Sequence, residues 1–235
     1  MKTLDTTIKV FDQKYQDSGM RSQRSYPNES LIQFIASNYF SLPLADRKKI
    51  RILEVGCGSG ANLWMLSKEG FDTYGIDSSQ AGIELAAQHL GVKWNVEADM
   101  QQASFTSLPY SDAFFDVVVD VVSLQHLNLE DSCVALQEIR RVLRQGGKFF
   151  SYRLSDHSVM YEHSAGGWVD AATVDNIADI TLPLANNGPI TFWSPSLARL
   201  MYAKANIAVE EIDRVGRTYS TGSYVEYLAI AGSKA

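Results

Sequence analysis

Between Val55 and Ala61 the chain sets glycines at alternate positions, Gly56, Gly58 and Gly60, directly after a carboxylate, Glu54. Glycine admits left-handed backbone and, lacking a Cβ, lets a ligand touch the main chain; a helix starting just beyond points its free N–H groups at that ligand. The run also satisfies the dinucleotide pattern G-x-G-x-x-[G/A] through Gly56, Gly58 and Ala61, with Asp77 about twenty residues on. Glu54 argues for a different ligand, because a carboxylate repels a pyrophosphate and attracts ammonium and sulfonium charges. Asp77 closes Gly75-Ile76-Asp77, where it can accept both hydroxyls of a ribose or cap the helix that follows.

These residues need a frame that brings them to one edge. From Arg51 onward, short apolar runs alternate with amphipathic stretches, the pattern of a parallel sheet covered on both faces. Strands are predicted over 52–55, 73–76, 92–96, 115–122, 148–154, 207–213 and 224–231. The expected fold is therefore α/β: a doubly wound, seven-stranded, mostly parallel Rossmann-like sheet, its last two strands forming an antiparallel hairpin. Helices are predicted after the glycine turn, after Ser78 or Ser79, over 130–143, where Gly146-Gly147 would end the helix, and over 194–205, with Ser194 as cap and Pro195 at the first position. Residues 1–50, read as a helical cover, and about 155–192, read as a lid insertion in a domain spanning 51–235, stand outside the alternation. Both carry several Ser and Asn residues; tyrosines cluster in the first, and His157 and His163 lie in the second.

A length of 235 residues suits one α/β domain with a small appendage. The net charge of −6 disfavours nucleic acid and anionic membrane surfaces, which are held through phosphate contacts. Cys57 and Cys133 stand in unrelated contexts, which indicates neither a disulfide framework nor a metal site and suits a reducing, cytoplasmic setting. No apolar leader or run of 18 apolar residues occurs, so the chain reads as soluble and unprocessed.

Residues 50–154 resemble, motif by motif, the class I S-adenosylmethionine-dependent methyltransferases. Glu54 to Gly60 is similar to that family's E/D-x-G-x-G-x-G, and Asp77 to its ribose-binding acid, with Ser78 beside it. Glu97-Ala98-Asp99-Met100 resembles the segment after the third strand that meets the adenine. Leu108-Pro109-Tyr110-Ser111-Asp112 with Phe115-Asp116 is similar to a run in the branch containing ubiquinone and menaquinone methyltransferases. Gly146-Gly147 resembles L-x-P-G-G, with Gln145 in place of proline. The resemblance implies S-adenosylmethionine as cofactor and S-adenosylhomocysteine as product. It assigns cofactor contacts to Glu54, Gly56, Gly58, Gly60, Asp77, Ser78, Asp99, Met100 and Asp120, and to Tyr15 and Arg24 of a cover segment that grips the cofactor carboxylate.

Methyl transfer from a sulfonium needs positioning more than activation, and positioning supplies ~7–11 kcal/mol of such a barrier. A general base adds ~10²–10⁴-fold where the acceptor must lose a proton. His126, just beyond the fourth strand, is the candidate base, with a role in bracing the loop as the alternative; Tyr152 and His157 follow as lid candidates. Trp168 and Trp193 would suit an aromatic or sugar-like ligand, or serve the core. The resulting expectation is methyl transfer to an oxygen or nitrogen of a small metabolite, with no metal, nucleic acid or membrane partner, and with a homodimer left open. A nicotinamide-dependent dehydrogenase and a non-catalytic S-adenosylmethionine-binding protein are the competing readings.

Overall fold

The computed structural model describes residues 2–235. In chain order its elements are α1 (Lys2–Ser18), α2 (Glu29–Tyr39), α3 (Leu44–Arg47), β1 (Arg51–Val55), α4 (Leu63–Lys68), β2 (Asp72–Asp77), α5 (Gln80–Gln88), β3 (Asp99–Gln102), β4 (Phe115–Val121), α6 (Leu129–Val142), β5 (Leu143–Leu154), α7 (Val159–His163), β6 (Thr173–Val174), β7 (Ile190–Thr191), α8 (Pro195–Lys204), β8 (Ile207–Thr218) and β9 (Tyr224–Lys234). Seven strands form one sheet in the order β3-β2-β1-β4-β5-β9-β8. β1 to β5 run parallel, β9 lies antiparallel against β5, and β8 pairs antiparallel with β9. This is the expected doubly wound sheet with its antiparallel closing strand. β6 and β7 make a separate two-stranded ribbon within the 155–192 insertion.

Period-two alternation along β4 sorts its side chains between two cores. Val118 packs with Leu136 and Ile139 of α6, Phe149, and Tyr202 of α8, whereas Val117 and Val119 pack with Leu31 and Ile35 of α2, Leu66 of α4, and Phe150. α2 is thus part of the covering layer of the sheet, and only α1 and the chain after it lie over the carboxyl ends of the strands.

α1 is tied down by polar contacts. Asp12 accepts a hydrogen bond from Ser79 Oγ at 2.6 Å, and Thr7 Oγ1 donates to the carbonyl of His126 at 3.0 Å. Thr7, Phe11, Lys14 and Tyr15 follow helical spacing and share the face turned to the sheet. No helix among the described residues is long and apolar enough to cross a membrane.

Two local expectations are corrected. The third strand is not at 92–96: His89–Trp94 continues α5 as a wider helical turn, Asn95 adopts a left-handed φ of 50°, and β3 begins only at Asp99. Trp94 sets this detour by stacking on Trp64, ring centroids 3.8 Å apart, while its Nε1 donates to His89 Nε2. Gly146-Gly147 does not end α6 either. The helix stops at Val142, Leu143 is already extended and pairs with Phe115, and the glycines lie where the β4–β5 register shifts. By contrast, α8 starts as expected, with Ser194 Oγ accepting from the Leu197 amide.

Candidate active site

A cavity of about 440 Å³ opens at the carboxyl ends of β1, β2 and β4, where the strand order reverses between β1 and β4. Ligands of doubly wound folds bind at such a switch point. The volume falls in the ~300–1,000 Å³ range of small-molecule sites.

One half of the cavity is built on the glycine turn. Gly56 and Gly58 line it with φ of 71° and 50°, values that a side chain resists. A Cβ on Gly56 would meet the Ser123 Cβ at 2.2 Å, and one on Gly58 would meet the Tyr15 hydroxyl at 3.0 Å, so both positions need bare backbone. Glu54, 2% exposed, lines the same half. Its Oε1 accepts from Asn62 Nδ2 at 2.5 Å, and Asn62 Oδ1 in turn holds the Asn28 amide. Among the described residues Glu54 Oε2 has no hydrogen-bond partner. Burial pushes the Glu54 carboxyl up to about 8, against the lowering effect of the Asn62 hydrogen bond and Arg24. A buried carboxyl oxygen left without a partner would hold a cation from outside once the group ionises.

Asp77 lines the cavity from the end of β2. Its Oδ2 accepts from the Gly58 amide and its Oδ1 from the Ser79 amide, both at 2.9 Å, so it also fixes the loop and the start of α5. Burial raises its pKa, with these amide bonds pulling the other way. Each oxygen keeps a lone pair for a diol. Ser78, Tyr15 and Arg24 line the cavity as well. The residue set fits an S-adenosylmethionine molecule: Glu54 Oε2 for the ammonium, Asp77 for the ribose, and the bare turn for close approach of the backbone.

The second half is walled by Phe11, Lys14, Gln125, His126, Tyr152, Leu184, Asn187 and Tyr227. Tyr152 stacks on Tyr227, ring centroids 4.7 Å apart, because Tyr227 follows β9 along the side of β5. Burial pushes the Tyr152 phenol up to about 12, so it stays a donor at neutral pH. His126 is 5% exposed and its ring meets Phe11 edge-on at 4.8 Å. Its Nδ1 lies 2.8 Å from the Pro189 carbonyl, an acceptor that requires the proton on Nδ1 and leaves Nε2 with a free lone pair. Burial lowers its pKa to about 4.

Several residues assigned by motif are placed away from the cavity lining. Asp99 and Met100 open β3 rather than follow it, at the end of the strand remote from the cavity, with Asp99 paired to Tyr74 while Asp77 pairs with Gln102. Phe105, beyond β3, lines the cavity instead. Asp120 is wholly buried and lies outside the lining: it accepts from the Ser123 amide and hydroxyl, the Leu124 amide and the Ser151 hydroxyl, and so shapes the turn after β4. Gly60 also lies outside, and a Cβ there would strike Leu90 at 2.3 Å, making it a packing glycine. His157 is exposed and away from the cavity. Trp168 is half exposed and Trp193 is core, stacked under the buried Arg153 guanidinium; neither lines the site.

Residues missed by sequence reasoning, Lys14, Asn62, Phe105, Asn187 and Tyr227, reach the cavity through helix phase, strand order or the insertion. Only the carboxamide of Asn62, one helical turn from Gly58, had a spacing that could have drawn attention.

Residues 53–151 match the family model described as a methyltransferase domain. The malonyl-[acyl-carrier protein] O-methyltransferase of Pseudescherichia vulneris is 27% identical over 206 residues, 85% of this chain and 77% of that protein. The ubiquinone biosynthesis O-methyltransferase of Nitrosococcus oceani is 36% identical over 101 residues, 43% of this chain and 42% of that protein, so the second match spans less than half of either. Among solved structures, the 1,6-didemethyltoxoflavin-N1-methyltransferase of Burkholderia thailandensis, with bound 1,6-didemethyltoxoflavin and S-adenosylhomocysteine, superimposes with a TM-score of 0.66 at 15% identity, covering 100% of this chain and 89% of its own. The domain match over residues 53–151, together with the sheet order and the acid placement, supports an S-adenosylmethionine-dependent methyltransferase.

Proposed function

We propose that the protein methylates an oxygen or nitrogen of a small metabolite. The observation that carries this reading is the second half of the cavity: a chamber next to Glu54 and Asp77, roofed by α1 and residues 184–187, and walled by aromatic rings with a few polar groups between them. An enclosed chamber lined in this way suits a metabolite or the end of a flexible carrier arm, and the net charge of −6 works against a nucleic-acid substrate. The relatives' names include both an O-methyltransferase and an N1-methyltransferase, so either atom is consistent with them.

S-adenosylmethionine, when bound, supplies a methyl group on a cationic sulfur that leaves as a neutral thioether. The chain's own residues then act chiefly by position. Tyr152 and Tyr227 present flat faces, and the buried Tyr152 hydroxyl keeps its proton and so can donate a hydrogen bond. His126 Nε2 can accept a hydrogen bond from an acceptor's O–H or N–H and so orient it. With a pKa of about 4, His126 is neutral at every pH where the protein would work, yet it is a weak base, so its role is positioning more than proton removal.

The test is transfer of labelled methyl from S-adenosylmethionine across a panel of small hydroxy, carboxy and amino compounds, beside bulk RNA and protein. Label appearing in a small product supports the proposal. Label confined to macromolecules would overturn it.

A further inference from the structure

We infer that the chamber beside His126 contains an anion subsite, formed by Lys14, Asn187 and Gln125, and takes an acceptor that carries a carboxylate on a flat, apolar body. The inference rests on the small-molecule reading above and extends it to a substrate class.

Lys14 lines the cavity, half buried, and its ammonium donates to Asn187 Oδ1. Among the described residues no carboxylate lies within ion-pair distance of it. Burial lowers its pKa, as expected where a charge leaves water without a counter-charge. An ammonium has only donors, so the amide oxygen of Asn187 must face it, which leaves the Asn187 Nδ2 donors without a partner among the described residues. Gln125 behaves alike: it is 2% exposed, its Oε1 is occupied by the Leu154 amide at 3.1 Å, and its Nε2 has no partner among the described residues although Gln125 lines the cavity. This wall therefore offers one cation and two sets of amide donors. The acids of the cavity, Glu54 and Asp77, belong to the other half.

The cofactor does not account for this cation. It carries a single carboxylate, on the same carbon as its ammonium, so the positive charge that serves it must stand near Glu54. Arg24 does: it acts on the Glu54 carboxyl and also reaches Tyr152 and Tyr227, whereas Lys14 acts on His126 and bonds Asn187. Arg24 thus stands where the two halves meet and serves Glu54 from there, and Lys14 stands in the acceptor half. Phe11, Leu184 and the Tyr152–Tyr227 stack supply the apolar walls that a flat acceptor would fill.

Benzoate and benzamide, equal in shape and different in charge, are the probes. Each is titrated by calorimetry or ligand-observed NMR into wild type, Lys14→Met and Asn187→Asp, with and without saturating S-adenosylhomocysteine. Asn187→Asp gives Lys14 an internal carboxylate and so fills the subsite without loss of volume. Wild type should prefer benzoate by at least ~10-fold, the scale of hydrogen bonds to charged groups. Both variants should lose that preference while S-adenosylhomocysteine affinity stays within about twofold. Equal binding of the two probes, or no benzoate binding up to ~10 mM, overturns the inference. So does a Lys14→Met variant that keeps the benzoate preference but loses S-adenosylhomocysteine, because Lys14 would then hold the cofactor carboxylate. The titrations separate this from the underlying reading: loss of S-adenosylhomocysteine binding in wild type with the benzoate preference intact leaves the subsite standing and removes the methyltransferase chamber.

Discussion

Glu54 makes the most quantitative demand on the account. In the ligand-free protein its carboxyl titrates at about 8 because it is buried, and its Oε2 is without a donor. An ammonium placed at that oxygen needs the ionised form, so binding must expel a proton at any pH below about 8. At pH 6, where the ligand amine is fully protonated, close to one proton should leave per S-adenosylhomocysteine bound. Between pH 6 and pH 7 the dissociation constant should fall about ninefold, which is ~1.3 kcal/mol at 1.36 kcal/mol per unit. Calorimetry in phosphate and in Tris, buffers of different ionisation enthalpy, reads the proton count directly. Glu54→Gln keeps an oxygen for Asn62 but cannot ionise, so both the proton release and the pH slope should vanish, and affinity at pH 8 should drop by roughly 1.5–3 kcal/mol. The stability sign runs opposite. A carboxyl raised in the folded state stabilises below its unfolded pKa, and that contribution is lost as pH rises through about 8, so ligand-free Glu54→Gln should melt higher than wild type above pH 8. A flat affinity between pH 6 and pH 7 with no proton release would refute the placement of the ammonium at Glu54.

Asp77→Ala should weaken S-adenosylhomocysteine by ~1.5–3 kcal/mol and also lower the melting temperature, since the Gly58 and Ser79 amides lose their acceptor; an unchanged dissociation constant would reduce Asp77 to a loop brace. Asp99→Ala should leave that affinity within ~0.5 kcal/mol, and a tenfold loss by calorimetry would show that β3 is placed out of register. His126 has a depressed pKa, so it stabilises the fold above pH 6.5, and that contribution is lost as pH falls through about 4. Urea midpoints at pH 7 and pH 4.5 should therefore differ more in wild type than in His126→Gln, and turnover should be level from pH 5.5 to pH 8 rather than climbing through the ordinary histidine range.

What the sequence made legible were features fixed by local chemistry. The valine run Val117-Val118-Val119 of β4 announced a buried strand, Ser194-Pro195 announced a helix start, and the alternate glycines behind Glu54 announced a ligand turn. Motif spacing failed where a distant contact moved the backbone. The Trp64–Trp94 stack draws 89–95 out of the sheet and shifts β3 by several residues, carrying Asp99 away from the ligand edge. Asp120 looked like a site acid because it ends a central strand, but the four donors that saturate it come from Ser123, Leu124 and Ser151 and are evident only in three dimensions. Lys14, Asn187 and Tyr227 line one cavity only because α1, the insertion and β9 come together there, and no local pattern records that convergence.

A crystal structure with S-adenosylhomocysteine bound tests the central claim most directly. The ligand ammonium should lie within hydrogen-bond distance of Glu54 Oε2, the ribose hydroxyls on Asp77, and the sulfur should turn toward the chamber of His126, Tyr152 and Tyr227. A ligand seated elsewhere, or one whose amino-acid end points away from Glu54, would contradict it.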